Sequence, residues 1–269
     1  MNASLILTRN HVTCSGQGER TLVFGHGFGC DQQIWSQVAP AFERDYRVVT
    51  FDYVGCGRAD PGAYDEQRYQ TLDGYALDVL EVAAALAPGP VTFVGHSVSG
   101  AIGMLAAIAE PGRFEQLIAL GPSPRYLNDE DYHGGFERAD IADLLDMMER
   151  NRFEWAGYLA PRVMDNPDRP ELADGLRRSF LAADPVISRR FAEATFLCDI
   201  RAQLPRVSLP TSVLYCESDI IVPLTAVDYL ARRLPRCRLH RLAASGHYPQ
   251  VSHPRLVIDA IHQELNARP

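Results

Sequence analysis

Two hydrophobic rhythms alternate along the first half of the chain. Short apolar or β-branched runs at residues 21–24, 46–51, 91–94 and 114–120 have strand length and stop at Gly or Asp. Between them, residues 34–42, 72–86 and 101–110 carry apolar positions at helical spacing, and Pro88-Gly89-Pro90 closes the second of these. Strands alternating with helices predict right-handed crossovers and a mostly parallel sheet. Residues 4–13 alternate loosely and predict an opening strand. From about 128 to 201 the strand pattern disappears, and residues 141–150, 153–159, 170–183 and 186–196 predict four helices. An all-helical stretch of that length is too long for a plain connection and reads as a lid over the sheet. The alternation resumes with strands at 211–216 and 238–242 and helices at 224–234 and up to about 265. The domain reading is an α/β core of residues 1–127 and 202–269 with a helical lid, 128–201, inserted in it.

The run at 91–94 leads into Gly95-His96-Ser97-Val98-Ser99-Gly100. A strand that ends in a serine among small residues, with a helix directly after it, has the form of a nucleophile elbow. The sharp turn strains the backbone at the serine, so residues two before and two after it must be small. Gly95 satisfies this fully, while Ser99 stands where the G-x-S-x-G pattern has its second glycine. An ordinary strand-to-helix turn with a serine N-cap has the same outline. The functional reading therefore depends on whether the chain supplies Ser97 with partners.

A serine hydroxyl is a weak nucleophile at neutral pH. It needs a base, usually His, and the base needs a third group to fix its tautomer and stabilise its cation. On a hydrolase sheet these follow in the order Ser…Asp/Glu…His, each in a loop after a strand. The loop Gly121-Pro122-Ser123-Pro124 offers no carboxylate. After 211–216 come Glu217 and Asp219, and Asp219 is preferred because Ile220-Ile221-Val222 would pack the loop and bury it. Beyond Asp219 lie His240, His247, His253 and His262. His240 belongs to a predicted strand, His253 has the position of a helix cap, and His262 lies inside the last helix. His247, in Ala244-Ser245-Gly246-His247-Tyr248-Pro249, follows a strand in a glycine-containing loop and is the candidate base. The loop Gly25-His26-Gly27-Phe28-Gly29 could in principle cradle a phosphate. It lacks both G-x-G-x-x-G and a Walker lysine, and reads better as an oxyanion hole with the Phe28 N–H as one donor. His26 is assigned as a brace of that loop, and His96 as packing or pocket polarity beside the serine.

Composition narrows the alternatives. With 269 residues, 46% of them hydrophobic, the chain can bury the core of one larger α/β domain. Its net charge of -8 is spread without a Lys/Arg cluster, which argues against nucleic acid as a partner. No run reaches membrane-spanning length, and residues 4–7 are too short for a signal-peptide core. The six cysteines, Cys14, Cys30, Cys56, Cys198, Cys216 and Cys237, are widely spaced without a C-x-x-C pair. That predicts reduced thiols in the cytoplasm, with neither a zinc site nor a disulfide framework. The expectation is no metal, no cofactor, no membrane and a monomer.

These motifs resemble the RsbQ-type α/β-hydrolases, a group that takes in a bacterial stress-response regulator and, more distantly, plant strigolactone and karrikin receptors. The likeness is carried by Gly25-His26-Gly27-Phe28-Gly29-Cys30-Asp31-Gln32, Phe51-Asp52-Tyr53-Val54-Gly55 and Gly95-His96-Ser97-Val98. In the insertion it is carried by Gly121-Pro122-Ser123-Pro124-Arg125-Tyr126-Leu127-Asn128-Asp129, Gly134-Gly135-Phe136-Glu137, Asn166-Pro167-Asp168-Arg169-Pro170 and Ala183-Asp184-Pro185-Val186-Ile187. It covers nearly the whole chain. The resemblance implies an α/β-hydrolase fold with about eight strands, the second antiparallel, under a V-shaped lid of four helices. It implies a triad of Ser97, Asp219 and His247, in agreement with chain order, and oxyanion donors at the Phe28 and Val98 N–H groups. It further implies a small apolar pocket over Ser97 lined by Phe136, Trp155, Leu159 and Phe196, with which His26 and His96 are grouped. In this group the position of Ser99 is commonly a small residue other than glycine. The implied function is hydrolysis of a small hydrophobic ester or lactone. The alternative is a signalling protein that senses such a ligand and activates a partner phosphatase carrying a PAS sensor domain, with slow hydrolysis. Cofactor-free haloperoxidase or dehalogenase chemistry, the latter needing Asp as nucleophile where this chain has Ser97, and dinucleotide binding are disfavoured.

Overall fold

The computed structural model describes residues 3–267. Its strands β1 (Thr13–Ser15), β2 (Arg20–Gly25), β3 (Tyr46–Thr50), β4 (Val91–His96), β5 (Phe114–Leu120), β6 (Thr211–Ser218) and β7 (Cys237–Ser245) form one sheet in the order β1-β3-β2-β4-β5-β6-β7. Only the edge strand β1 runs antiparallel, against β3; the other pairs are parallel. Leu22, Phe24, Val94, Ile118 and Leu120 join one core, whereas Val23, Phe93, Leu117 and Ala119 join the other. Alternate residues thus enter opposite faces, and both faces are covered by helices, which is why these strands read as nearly continuous apolar runs. Helices α2 (Leu72–Leu86) and α3 (Val98–Ala109) contribute to the core that holds Phe93, and α10 (Pro254–Asn266) to the one that holds Val94. Short α9 (Pro249–Ser252) leads into α10, and α8 (Leu224–Arg233) connects β6 to β7.

Between β5 and β6 stand four helices, α4 (Arg138–Arg150), α5 (Arg152–Met164), α6 (Pro170–Ala182) and α7 (Pro185–Phe196). Local chemistry sets their starts. The Glu137 and Asp140 carboxylates form a reciprocal capping box on α4, Asn151 caps α5, and Asp184 caps α7 ahead of Pro185.

Two sequence-based expectations are corrected. The sheet has seven strands among the described residues, because residues 4–13 do not form an opening strand: helix α1 (Ala3–Arg9) takes most of that segment. A buried polar cluster holds α1. Arg9 and Arg68 both reach the buried Asp78 carboxylate (3.1 and 2.7 Å) and Glu81 (2.6 and 2.8 Å). Asn10 donates to the Asp52 carbonyl and to Asp78, and Tyr69 donates its hydroxyl to Asp78. These partners lie far along the chain, so the segment's own alternation was misleading. Residues 34–42 likewise form two 3-10 turns, Gln32–Trp35 and Ala39–Phe42, and no α-helix. Pro40 lies in the first turn of the second one and cannot donate the bond a continuous helix would need.

The elbow is the sharpest feature of the backbone. Ser97 has φ 56° and ψ -123°, outside the comfortable range of a residue with a side chain. Its N–H donates to the Leu120 carbonyl at the end of β5, and its carbonyl accepts from the Gly100 N–H, both at 2.8 Å. A Cβ at Gly95 would lie 2.6 Å from the Ser99 carbonyl oxygen, so glycine is required there. Ser99 needs no such space, and its hydroxyl has a function that glycine lacks. Ser99 Oγ donates to the His26 carbonyl and accepts from the Tyr53 hydroxyl at 2.7 Å, joining three loops behind the serine.

Asp78→Ala should lower the unfolding free energy by about 3 kcal/mol, seen as a lower urea midpoint at unchanged slope; a loss below about 1 kcal/mol would show that Glu81 alone anchors α1. Ser99→Ala, which strands the His26 carbonyl and the Tyr53 hydroxyl in the core, should cost about 1–3 kcal/mol. Ser99→Gly, though it restores the G-x-S-x-G pattern, should be less stable than Ser99→Ala by about 0.5–1 kcal/mol in the same measurement.

Candidate active site

The loops that follow the parallel strands meet at the carboxyl edge of the sheet, where open α/β sheets bind their ligands. The turn after β4 presents Ser97, the bulged end of β6 leads to Asp219, and Gly246 after β7 presents His247. A register shift between Cys216 and Ser218 marks the bulge. Gly246 has φ 89°, and a Cβ there would collide with the Met164 carbonyl oxygen at 2.2 Å.

These residues form one hydrogen-bonded chain. Ser97 Oγ lies 2.7 Å from His247 Nε2, and His247 Nδ1 lies 2.7 Å from Asp219 Oδ2. The other carboxylate oxygen, Oδ1, accepts from the Ile221 and Val222 N–H groups at 2.8 and 3.2 Å. An anionic Asp219 thus accepts at both oxygens, which leaves the proton on His247 Nδ1 and the Nε2 lone pair facing the serine hydroxyl. Both side chains are 6% exposed or less. Glu217, the alternative carboxylate, is exposed and faces Arg241. The His247 backbone is pinned at both ends: its N–H donates to the Val163 carbonyl of α5 at 2.7 Å, and its carbonyl accepts from His96 Nε2 at 2.8 Å. His96 is fully buried, and burial together with the neighbouring His247 holds it well below the usual histidine range, so it stays neutral.

The loop after β2 is equally fixed. The Trp35 indole donates to the Gly25 carbonyl at 3.2 Å, and a Cβ on Gly27 would lie 2.6 Å from His96 Nδ1. His26 Nε2 accepts from the Tyr53 N–H at 3.1 Å, so its Nδ1 carries the proton that meets the Gly27 carbonyl at 2.8 Å. Burial lowers its pKa in keeping with that neutral tautomer. Among the described residues, the N–H groups of Phe28 and of Val98, the first residue of α3, donate to no other group.

Above Ser97 lies a small, partly open space of about 20 Å³, large enough for roughly one water. Phe28, Tyr126, Leu159, Val163, Phe180, Thr195, Phe196, Ile221 and Tyr248 line it together with Ser97 and His247. Of the residues grouped with the pocket from sequence, Leu159 and Phe196 line it and the other four do not. Trp155 sits behind the lining, its ring 5.0 Å from that of Phe180 and 6.2 Å from that of Phe28. Phe136 packs on the far side of Phe196 at 6.3 Å. His26 and His96 are sealed beneath the loops. Aromatic residues in the insertion signalled a pocket, but which of them face it depends on helix rotation and on which neighbour covers each ring. Tyr126 was visible only as part of a family motif, and Thr195 and Val163 carried no sequence signal. A larger groove, about 790 Å³, opens between residues 64–73 and 190–203, away from Ser97. Its charged rim is already paired, Arg190 with Glu66 and Glu193, so size is a poorer guide here than chemistry. Among the described residues no cluster of His, Cys, Asp or Glu could hold a metal ion, and no helix is long and apolar enough to cross a membrane.

Residues 22–260 match the model of the alpha/beta hydrolase family. The chain is 36% identical to karrikin insensitive 2 receptor CA of Petunia hybrida, covering 96% of each chain. It is 37% identical to a strigolactone esterase of Arabidopsis thaliana, covering 98% of this chain and 99% of that one. Among solved structures, a hydrolase from Oleispira antarctica superimposes with a TM-score of 0.96 at 34% identity, over 100% of this chain and 98% of that one. With a parallel sheet, a strained serine at its carboxyl edge and likeness over its full length, this chain belongs to the α/β-hydrolase family.

Proposed function

We propose that this protein hydrolyses small, mainly apolar carboxylic esters or lactones by acyl transfer through a Ser97–His247–Asp219 triad. The observation that carries the reading is the unbroken chain of hydrogen bonds from Ser97 to Asp219 beside two backbone N–H groups without partners. Ser97 Oγ attacks the carbonyl carbon while His247 Nε2 takes its proton, and Asp219 stabilises the imidazolium that forms. The oxyanion is met by the Phe28 and Val98 N–H groups, and losing one such donor typically costs about 10²–10³ in rate. His247 then protonates the departing alkoxide, and water, deprotonated by the same nitrogen, releases the acid and restores Ser97. The apolar lining, with Phe28, Leu159, Phe180, Phe196 and Ile221, supports a small hydrophobic acyl group. In this reading residues 128–201 act as the lid of a core formed by 1–127 and 202–269. The six unpaired cysteines support a reducing compartment such as the cytoplasm.

A second reading is that of a ligand sensor whose hydrolysis is incidental, with a partner such as a PAS-linked phosphatase. Two observations favour it: the space over Ser97 is only about 20 Å³, too small for a ligand of several atoms as it stands, and one of the relatives is named as a receptor.

On p-nitrophenyl acetate, Ser97→Ala and His247→Ala should each lower kcat by roughly 10⁴–10⁶ and Asp219→Asn by about 10⁴. Thermal unfolding should remain cooperative in all three. Activity retained in folded Ser97→Ala would sink the triad. A kcat of about 1–10³ s⁻¹ on some small ester or lactone favours the enzyme, and turnover orders of magnitude slower across such a series favours the sensor.

A further inference from the structure

Two hydroxyls in the pocket lining are left over by the mechanism. The Tyr126 phenol and the Thr195 hydroxyl each belong to a residue that is 1% exposed, and among the described residues neither has a partner in good hydrogen-bond geometry, the phenol meeting only the Ser97 hydroxyl beside it. Both residues line the space over Ser97. The other polar groups there are engaged: Ser97 and His247 bond to each other, and Tyr248 lies against the Cys30 thiol. Orphaned polar side chains are uncommon in folded interiors, and two on one small cavity call for a reason.

Neither hydroxyl is left over for want of a rigid frame. Tyr126 follows β5 between the bridges Arg125–Asp199 and Leu127–Phe136; its carbonyl accepts from the Phe136 N–H at 3.1 Å, and its ring packs edge-on against Phe196 at 5.4 Å. Burial pushes its phenol above the ordinary tyrosine range, so it is a neutral donor, and the Ser97 hydroxyl beside it opposes that shift. Thr195 is in the last turn of α7, where a threonine hydroxyl commonly bonds back to a carbonyl one turn earlier. Here it does not. Two side chains from separate elements therefore hold their donors on the same space, which is otherwise walled by Phe28, Leu159, Val163, Phe180, Phe196 and Ile221.

We infer that Tyr126 and Thr195 are specificity-determining residues that select a short acyl or lactone substrate carrying a second oxygen beside the scissile carbonyl. The inference rests on the hydrolase reading and narrows its substrate class. The second oxygen belongs to the acyl portion, because the alcohol of an ester is released on acylation while the acyl group stays on Ser97 in the small space above it. Phenol and hydroxyl both donate to an ether or keto oxygen there, and a plain alkyl chain leaves both unpaired. A site built around such hydrogen bonds discriminates against the analogue that lacks the oxygen far more strongly than an apolar wall discriminates by size.

The test compares p-nitrophenyl methoxyacetate with p-nitrophenyl butyrate, which differ by one oxygen in place of a methylene. Each kcat/KM is divided by the ester's rate constant with hydroxide, which removes intrinsic reactivity. Tyr126→Phe and Thr195→Val should each lower the methoxyacetate-to-butyrate ratio by about three- to tenfold, and the double variant by more. Because each change removes an unpaired hydroxyl, Tm should hold or rise; a merely structural role would lower it. A ratio that stays within twofold, whether both esters slow equally or neither does, overturns the inference. If the wild-type protein turns over neither ester, the hydrolase reading fails, and calorimetry on Ser97→Ala with methyl methoxyacetate and methyl butyrate decides this one separately. A threefold or larger preference for the former that disappears with Tyr126→Phe and Thr195→Val supports it, and equal binding overturns it.

Discussion

Ser97 is held at φ 56° against the ordinary preference of its backbone, and the site is arranged around keeping it there. The strain is of the size, about 1–3 kcal/mol, that a surrounding structure must over-determine. The over-determination is visible. The β4–β5 register delivers the Leu120 carbonyl to the Ser97 N–H, Gly95 lets α3 approach its own strand, and the Ser99 hydroxyl ties the turn to the loops after β2 and β3. A single turn is thereby tied to its own strand, to the next strand and to the loops that carry His26 and Tyr53.

The four inserted helices are joined to that arrangement by hydrogen bonds as well as by apolar contact. Val163 of α5 accepts from the His247 N–H, and Ser179 of α6 donates to the Gly29 carbonyl in the loop that carries Phe28. Phe28 stands edge-on to Trp155, Phe191 and Phe196 at 5.7–6.2 Å. Ile187 of α7 fills the space a side chain at Gly55 would take. The Val163 bond thus ties α5 directly to the backbone of the proposed base.

The strands at 21–24, 46–51, 91–94, 114–120, 211–216 and 238–242 were legible because a parallel sheet buried on both faces demands apolar runs, and the chain breaks those runs with Gly, Pro and Asp. The four helices of the insertion were legible from their caps and spacing. Helix α1 was not. What holds it is Asp78, some seventy residues away, and a local alternation cannot report a distant charge. The turns at 32–42 failed for a different reason: apolar spacing there outweighed Pro40, although the proline's missing donor is itself a sequence fact.

The same division runs through the site. Chain order alone placed Ser97, Asp219 and His247 in loops after parallel strands, because a sheet of this kind brings such loops to one edge whatever the details of packing. Sequence therefore determined the fold class, the candidate nucleophile and the residues eligible to serve it. It could not decide that Trp155 and Phe136 stand behind the pocket wall while Tyr126 and Thr195 form part of it. An aromatic or hydroxyl side chain has the same local signature whether it faces a ligand or a neighbouring helix. Only the rotation of α5 and α7 and the bridged backbone around Tyr126 and Phe136, set by packing among residues far apart in the chain, turn one toward the cavity and the other away.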